Sequence, residues 1–153
     1  MILIEPVFRF KRSETRKLLV SLHHRYPGGL DWLERRMDDI EAGRACAWRA
    51  GMHHMTLGYA IVTPKGRHRN KLSTLYVTPF ARGQSVGGKL LATLIQDSQR
   101  REVDDLFVTV DENDALTGGF FTGRGFSQMP NIRSAYGARF DAAYEVSIRS
   151  SSH

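Results

Sequence analysis

The sequence predicts one α+β domain, a mixed and mostly antiparallel sheet of six or seven strands flanked by about four helices. Three observations carry this. Short runs with alternating apolar residues, such as Tyr144, Val146 and Ile148, recur along the chain and read as strands. Other stretches have apolar residues at helical spacing, the clearest being Val86, Leu90, Leu91, Leu94 and Ile95. Several strands follow one another across short turns, which joins neighbours antiparallel.

At 153 residues the chain has the length of one domain, assigned to 1–148, with 149–153 a tail of tag-like composition given no function. Its 41% hydrophobic and 25% charged residues exclude disordered and fibrous classes. A lone Cys46 cannot close an internal disulfide, which suits a reducing cytosol and predicts a cytoplasmic protein. No apolar run approaches the roughly 20 residues of a membrane helix, so no membrane partner is expected. Glu5 interrupts the apolar start and the basic residues follow it, unlike a signal peptide. A net charge of +6 invites phosphate-bearing ligands or nucleic acid, although a solvated basic surface has the same composition.

Residues 1–10 alternate as a first strand with a break near Pro6. Ser13 offers an N-cap for a helix carrying Thr15, Leu18, Leu19, Leu22 and Tyr26, which Pro27-Gly28-Gly29 ends. Asp31 with Glu34 resembles a capping box opening a second helix, with Leu33, Met37 and Ile40 on one face and Gly43 as its stop. Ala45–Ala50 and Met55–Thr63 form an antiparallel pair, in which strict alternation sends Leu57, Tyr59 and Ile61 one way and Gly58, Ala60 and Val62 the other. The next hairpin tip, 64–71, gathers Lys65, Arg67, His68, Arg69 and Lys71, a cluster able to meet a phosphate backbone or simply to be solvated.

The stretch Leu72–Leu91 organises the rest. A strand-like run, Leu72–Val77, meets Pro79, then the loop Arg82-Gly83-Gln84-Ser85-Val86-Gly87-Gly88, which opens into the apolar-striped helix. Unpaired N–H groups and the positive dipole end at a helix start favour an anion, and glycine lets a ligand approach the main chain. A Walker A loop is excluded because Lys89 precedes Leu90 rather than Ser or Thr, and no G-x-G-x-x-G is present. After the helix, Leu106, Val108 and Val110 alternate as a strand, Asn113–Gly125 reads as a short helix, and Phe126–Ile148 as two strands around a polar Asn131–Arg139 loop.

Val77-Thr78-Pro79 followed by Arg82-Gly83-Gln84-Ser85-Val86-Gly87 resembles the [Q/R]-x-x-G-x-[G/A] signature of the GNAT superfamily of acyl-CoA-dependent N-acyltransferases, with Ser85 in place of the first glycine. Leu106–Asn113 and Phe120–Phe126 resemble the family's next strand, its Asn, and the aromatic-x-x-x-G-F helix end. The resemblance implies acetyl-CoA as co-substrate, no metal, and acetyl transfer to a primary amine. It places the pantetheine between splayed strands, Leu72–Val77 and Leu106–Val110, against the backbone of Tyr76 and Val77. It places the pyrophosphate on Arg82, Gly83, Gln84, Ser85, Val86, Gly87, Gly88 and Lys89, and adds Asn113 and Phe121. Helices early in such chains form an acceptor wall, which would bring in Tyr26 and Trp32; relatives also pair as homodimers.

The proton-handling residues of the family are missing. Where many members place a Tyr acid, both registers give phenylalanine, Phe120 or Phe121; where some place a Glu base, Lys71 stands. Asp111, Glu112, Tyr76 and Ser73 are the remaining candidates, Asp111 and Glu112 first because they follow the strand bordering the thioester. Acceptors compatible with the sequence are a small molecule, a peptide, or a charged tRNA read through the basic hairpin. A silent acyl-CoA sensor is the alternative outside the enzyme class. The adjacent pairs His23-His24 and His53-His54 lack the spacing of a zinc set, there is no G-x-S-x-G elbow, and Cys46 reads as core.

Overall fold

Among the described residues, the apolar alternation of the sequence builds a seven-stranded sheet with four α-helices. The computed structural model describes residues 1–23, 28–111, 115–133 and 140–148. Its elements are β1 (Leu3–Pro6), α1 (Arg12–His23), α2 (Gly29–Glu41), β2 (Cys46–Met52), β3 (Met55–Pro64), β4 (Arg69–Val77), α3 (Val86–Arg100), β5 (Asp105–Asp111), α4 (Ala115–Thr122), β6 (Ser127–Arg133) and β7 (Phe140–Ser147). The strands lie in the order β1-β2-β3-β4-β5-β7-β6. Every neighbouring pair is antiparallel except β4 and β5.

Two apolar clusters sandwich the sheet. Leu90, Leu91 and Leu94 of α3 and Phe121 of α4 pack with Ala60, Val62, Leu72, Leu106 and Val108 on one face. Leu19 of α1 and Leu33, Met37 and Ile40 of α2 pack with Ala47, Tyr59 and Ile61 on the other. Strict alternation fails at one predicted position. Leu57 joins Ala60 and Val62 rather than Tyr59 and Ile61, because the register steps from Ala50↔Gly58 to Gly51↔Thr56 and leaves Leu57 as a bulge residue.

The early helices start differently from the sequence expectation. α1 begins at Arg12, one residue before Ser13. α2 begins at Gly29, with Gly28 as its left-handed N-cap and no side-chain cap, so Asp31 lies in the first turn. Glu34 is used by α1 instead: it pairs with Arg16 and, at 3.1 Å, with Arg12. Arg12 also reaches Asp38 at 2.7 Å and Glu41 at 2.6 Å. The second Glu41 oxygen accepts the Phe10 N–H at 2.9 Å. Below, the hydroxyls of Thr15 and Tyr59 lie 3.2 Å apart and join α1 to the sheet. Later, β6 runs through Asn131 to Arg133, so only 134–139 of the predicted polar loop lies outside it, beyond the described residues. α4 is shorter than the predicted Asn113–Gly125. Among the described residues no helix is long and apolar enough to cross a membrane.

The Phe10 N–H and then Arg12 hold the Glu41 carboxyl below its ordinary value, and Arg16 and Arg12 do the same for Glu34. Their contribution to stability is therefore present above the ordinary glutamate value of 4.5 and is lost as pH falls through the lower folded value. Glu41→Gln is expected to lower Tm by a few degrees at pH 7. In thermal melts against pH, its deficit from wild type should shrink toward zero below pH 4.5.

Candidate active site

The parallel strands β4 and β5 meet only briefly. Their register covers Arg69↔Asp105, Asn70↔Leu106 and Lys71↔Phe107. β4 continues against β3 to Gly58↔Val77, while β5 continues against β7 to Asp111↔Asp141. From Leu72 onward, then, the β5-facing edge of β4 has no strand partner among the described residues. A bulge sits at the parting point: Ile61 faces Thr74 and Val62 faces Leu72, so Ser73 is the extra residue. Bulges bend the strand that carries them, and this one lies two residues past the last β4–β5 pair.

The backbone of β4 is held from the β3 side. A Cβ on Gly58 would collide with the Tyr76 carbonyl oxygen, so this close crossing requires glycine. The Thr78 N–H donates to the Leu57 carbonyl at 2.8 Å, which anchors the end of the strand through the β3 bulge residue. Pro79–Ala81 then makes one 3-10 turn, and Arg82 returns its Nε to the Val77 carbonyl at 3.1 Å.

The loop delivers the chain to α3 as the sequence suggests. The Lys89 N–H donates to the Ser85 carbonyl at 3.0 Å, so the N–H groups of Val86, Gly87 and Gly88 precede the helical ladder. Ser85 is the N-cap, with φ 63° and no side-chain cap. The place of the first signature glycine thus needs a left-handed residue, and serine holds it at some strain. Val86 is buried, leaving only its backbone for a ligand, whereas Arg82, Gly83, Gln84, Ser85 and Lys89 are exposed.

The far wall of this helix start comes from α4. Phe121 is buried in the core, its ring 5.1 Å from Phe126 and 6.3 Å from Tyr144. The phenylalanine nearest the loop is Phe120, whose ring would lie 3.6 Å from a Cβ on Gly87. Stacked on Phe120 at 3.9 Å is the Arg124 guanidinium, which also donates to the Phe120 carbonyl at 3.1 Å. One of its nitrogens would stand 3.2 Å from a Cβ on Gly88. A cation against the positive end of a helix dipole is unfavourable unless an anion joins them. Sequence reasoning missed Arg124; its signal was the i, i+4 spacing from Phe120.

Other predicted residues scatter. Tyr76 is half-buried against the α1/α2 cluster, as is Trp32. The Ser73 hydroxyl donates to Thr63 at 2.8 Å. Asp111 ends β5, paired through the backbone with Asp141. Glu112, Asn113 and Tyr26 lie outside the described residues. In the basic hairpin, Arg69 is committed: it pairs with Glu145 at 2.8 Å and stacks on Phe107 at 3.9 Å. Burial and then Lys65 push the Lys71 ammonium below its ordinary value, with Asp141 opposing. Cys46 packs against the core, and burial raises its thiol. Among the described residues no group of three metal-ligating side chains exists.

The profile of the Acetyltransferase (GNAT) family matches residues 13–126. The chain belongs to the GNAT family. Solved structures with the same fold include a GNAT-family acetyltransferase from Desulfovibrio desulfuricans, at TM-score 0.80 and 18% identity over 97% of this chain and 99% of that one. The ribosomal-protein-S18-alanine N-acetyltransferase of Escherichia coli gives 0.77 and 18%, over 99% and 96%. A Bacillus subtilis acetyltransferase in complex with CoA gives 0.78 and 10%, over 96% and 99%. Among curated proteins none matches this sequence. The mixed sheet and four helices are therefore the GNAT fold.

Gly58→Ala is expected to destabilise the GNAT sheet by on the order of 1–3 kcal/mol, since the Tyr76 backbone must shift. Gly119→Ala, where an added Cβ meets nothing within 4 Å, is expected to be neutral or stabilising by about 0.5–1 kcal/mol. Denaturant melts of both variants check the contrast.

Proposed function

We propose that this protein is an acetyl-CoA-dependent N-acetyltransferase acting on a primary amine. One observation carries the reading: the strand edge Leu72–Val77, without a strand partner among the described residues, leads through one turn to a helix start whose first N–H groups precede the helical ladder, with an added arginine. An extended ligand with amide groups can hydrogen-bond to such an edge as an extra strand does. Its anionic end then falls on the helix start. Pantetheine joined to a pyrophosphate has this chemistry, and the Bacillus subtilis relative is described in complex with CoA.

In this reading Tyr76 and Val77 hold the pantetheine and polarise the thioester through their backbone. The loop from Arg82 to Lys89 binds the pyrophosphate through N–H groups, with Arg124 adding charge. The amine nitrogen bonds to the acetyl carbon, the tetrahedral oxyanion collapses, the C–S bond breaks, and the sulfur leaves as thiolate. Phe121 cannot give it a proton and neither can Phe120, so water or solvent-facing groups do so. Asp111 and Glu112 are the proposed acceptors of the amine proton. Orientation alone supplies about 7–11 kcal/mol in well-aligned systems, enough for a thioester with a good leaving group. Asn113 is proposed as a further donor-side contact.

The test is donor binding by calorimetry together with thiol release over an amine panel. Wild type should bind acetyl-CoA and release thiol above background hydrolysis with at least one amine. Gly87→Asp, which places bulk and negative charge at the helix start, should abolish binding. Arg124→Ala should weaken it by about tenfold, the scale of one charge-assisted hydrogen bond. Tight acetyl-CoA binding with no thiol release across the panel would instead mark an acyl-CoA sensor. Wild-type affinity in Gly87→Asp would mean the loop is not the site.

A further inference from the structure

Lys71 occupies the last register position before β4 and β5 separate. Its face follows from its neighbours. Val62 and Leu72 are partners within the α3-side cluster, so the next pair, Thr63 and Lys71, lies on the opposite face with Tyr59 and Ile61. On β5, Leu106 and Val108 belong to the α3 side, which puts Phe107, the partner of Lys71, on this face too. The apolar cluster beneath α1 and α2 extends to Tyr76 and does not include Lys71. Where that cluster stops, the face carries Phe107 beside the polar side chains of Thr63, Ser73, Thr74, Asp141 and Glu145.

The charge on Lys71 is poorly compensated there. Glu145 would be a natural counter-ion, but Arg69 holds it at 2.8 Å. Lys71 makes no ion pair within 4 Å among the described residues, and Asp141 acts on it only at longer range. Lys65, a like charge, adds to the cost that burial imposes. A second polar group on this face is also unmatched: Thr74, paired with Ile61 and 4% exposed, has a hydroxyl without a hydrogen-bond partner. A half-buried ammonium and a buried hydroxyl, both beside a strand fork, cost stability that packing does not require.

We propose that Lys71 selects the acceptor by receiving an anionic group, a carboxylate or phosphate, carried on the amine substrate. This rests on the acetyltransferase reading, because it takes the fork as the place where donor and acceptor meet. The acceptor class is then an amine bearing an acid. An anion at Lys71 is favourable because it supplies the missing counter-charge in a partly desolvated place, where charge-assisted bonds are strong.

The experiment measures binding of paired amines to the protein–CoA complex, which needs no turnover. The pairs are glycine with glycinamide, β-alanine with 3-aminopropanol, and 2-aminoethylphosphonate with ethanolamine. In wild type the acidic member of at least one pair should bind more tightly by about tenfold or more. Lys71→Arg should keep the preference and Lys71→Met should reduce it to near one. Lys71→Met should also raise the Tm of the free protein, which a purely structural lysine would not do. Equal or absent binding of both members in every pair, a preference that survives Lys71→Met, or equal loss of turnover for acidic and neutral amines would overturn the proposal. Thiol release measured in parallel reports separately on the acetyltransferase reading. Acid preference without thiol release sinks that reading and keeps the anion site.

Discussion

The interaction on which this structure depends is the short parallel contact between β4 and β5. Three register pairs hold two halves of a sheet together, and then the strands part. Parallel pairing lets both strands point the same way toward α3 and α4, and the Ser73 bulge sits on β4 just past the last pair. Longer pairing would close the edge and remove the place where an extended ligand can bond. Shorter pairing would leave the halves joined mainly by α3 and its apolar stripe. The fold is therefore arranged to keep one strand edge open inside a sheet, an exposure that proteins otherwise avoid.

Much of this was legible in the sequence, and the illegible part has physical causes. Six or seven strands and about four helices follow from apolar periodicity, and the family resemblance follows from Val77-Thr78-Pro79 and the loop after it. Strict alternation misplaces Leu57 because a bulge shifts parity and leaves no mark in a strand that holds Gly58 and Ala60. Asp31 and Glu34 looked like a local cap. Glu34 is taken by Arg12 and Arg16 across the helix pair, a tertiary contact that local spacing does not reveal. Arg124 went unnoticed because its meaning lies in its approach to Gly88, thirty-six positions back in the chain.

Ser85 shows how a departure from a signature can be read twice. In sequence it looked like a small residue standing in for a small residue. In the structure the position is left-handed, so glycine is favoured there for backbone reasons and serine bears the strain. The replacement keeps the geometry, and the helix start remains open. The two phenylalanines at the tyrosine registers of α4 have a similar resolution, with Phe121 serving the core and Phe120 serving as the platform for Arg124. At these two registers the side chains pack and position charge, and in the proposed mechanism orientation carries the larger share.

The central claim is that the open β4 edge and the α3 start together form one site for a coenzyme A thioester. Thermal unfolding of the intact protein with CoA, using ATP as the control for phosphate alone, tests it most directly. A ligand at 100 times its dissociation constant stabilises the folded state by about 2.7 kcal/mol, so CoA should raise Tm clearly and ATP should not. No shift with CoA, or an equal shift with both nucleotides, would contradict the account.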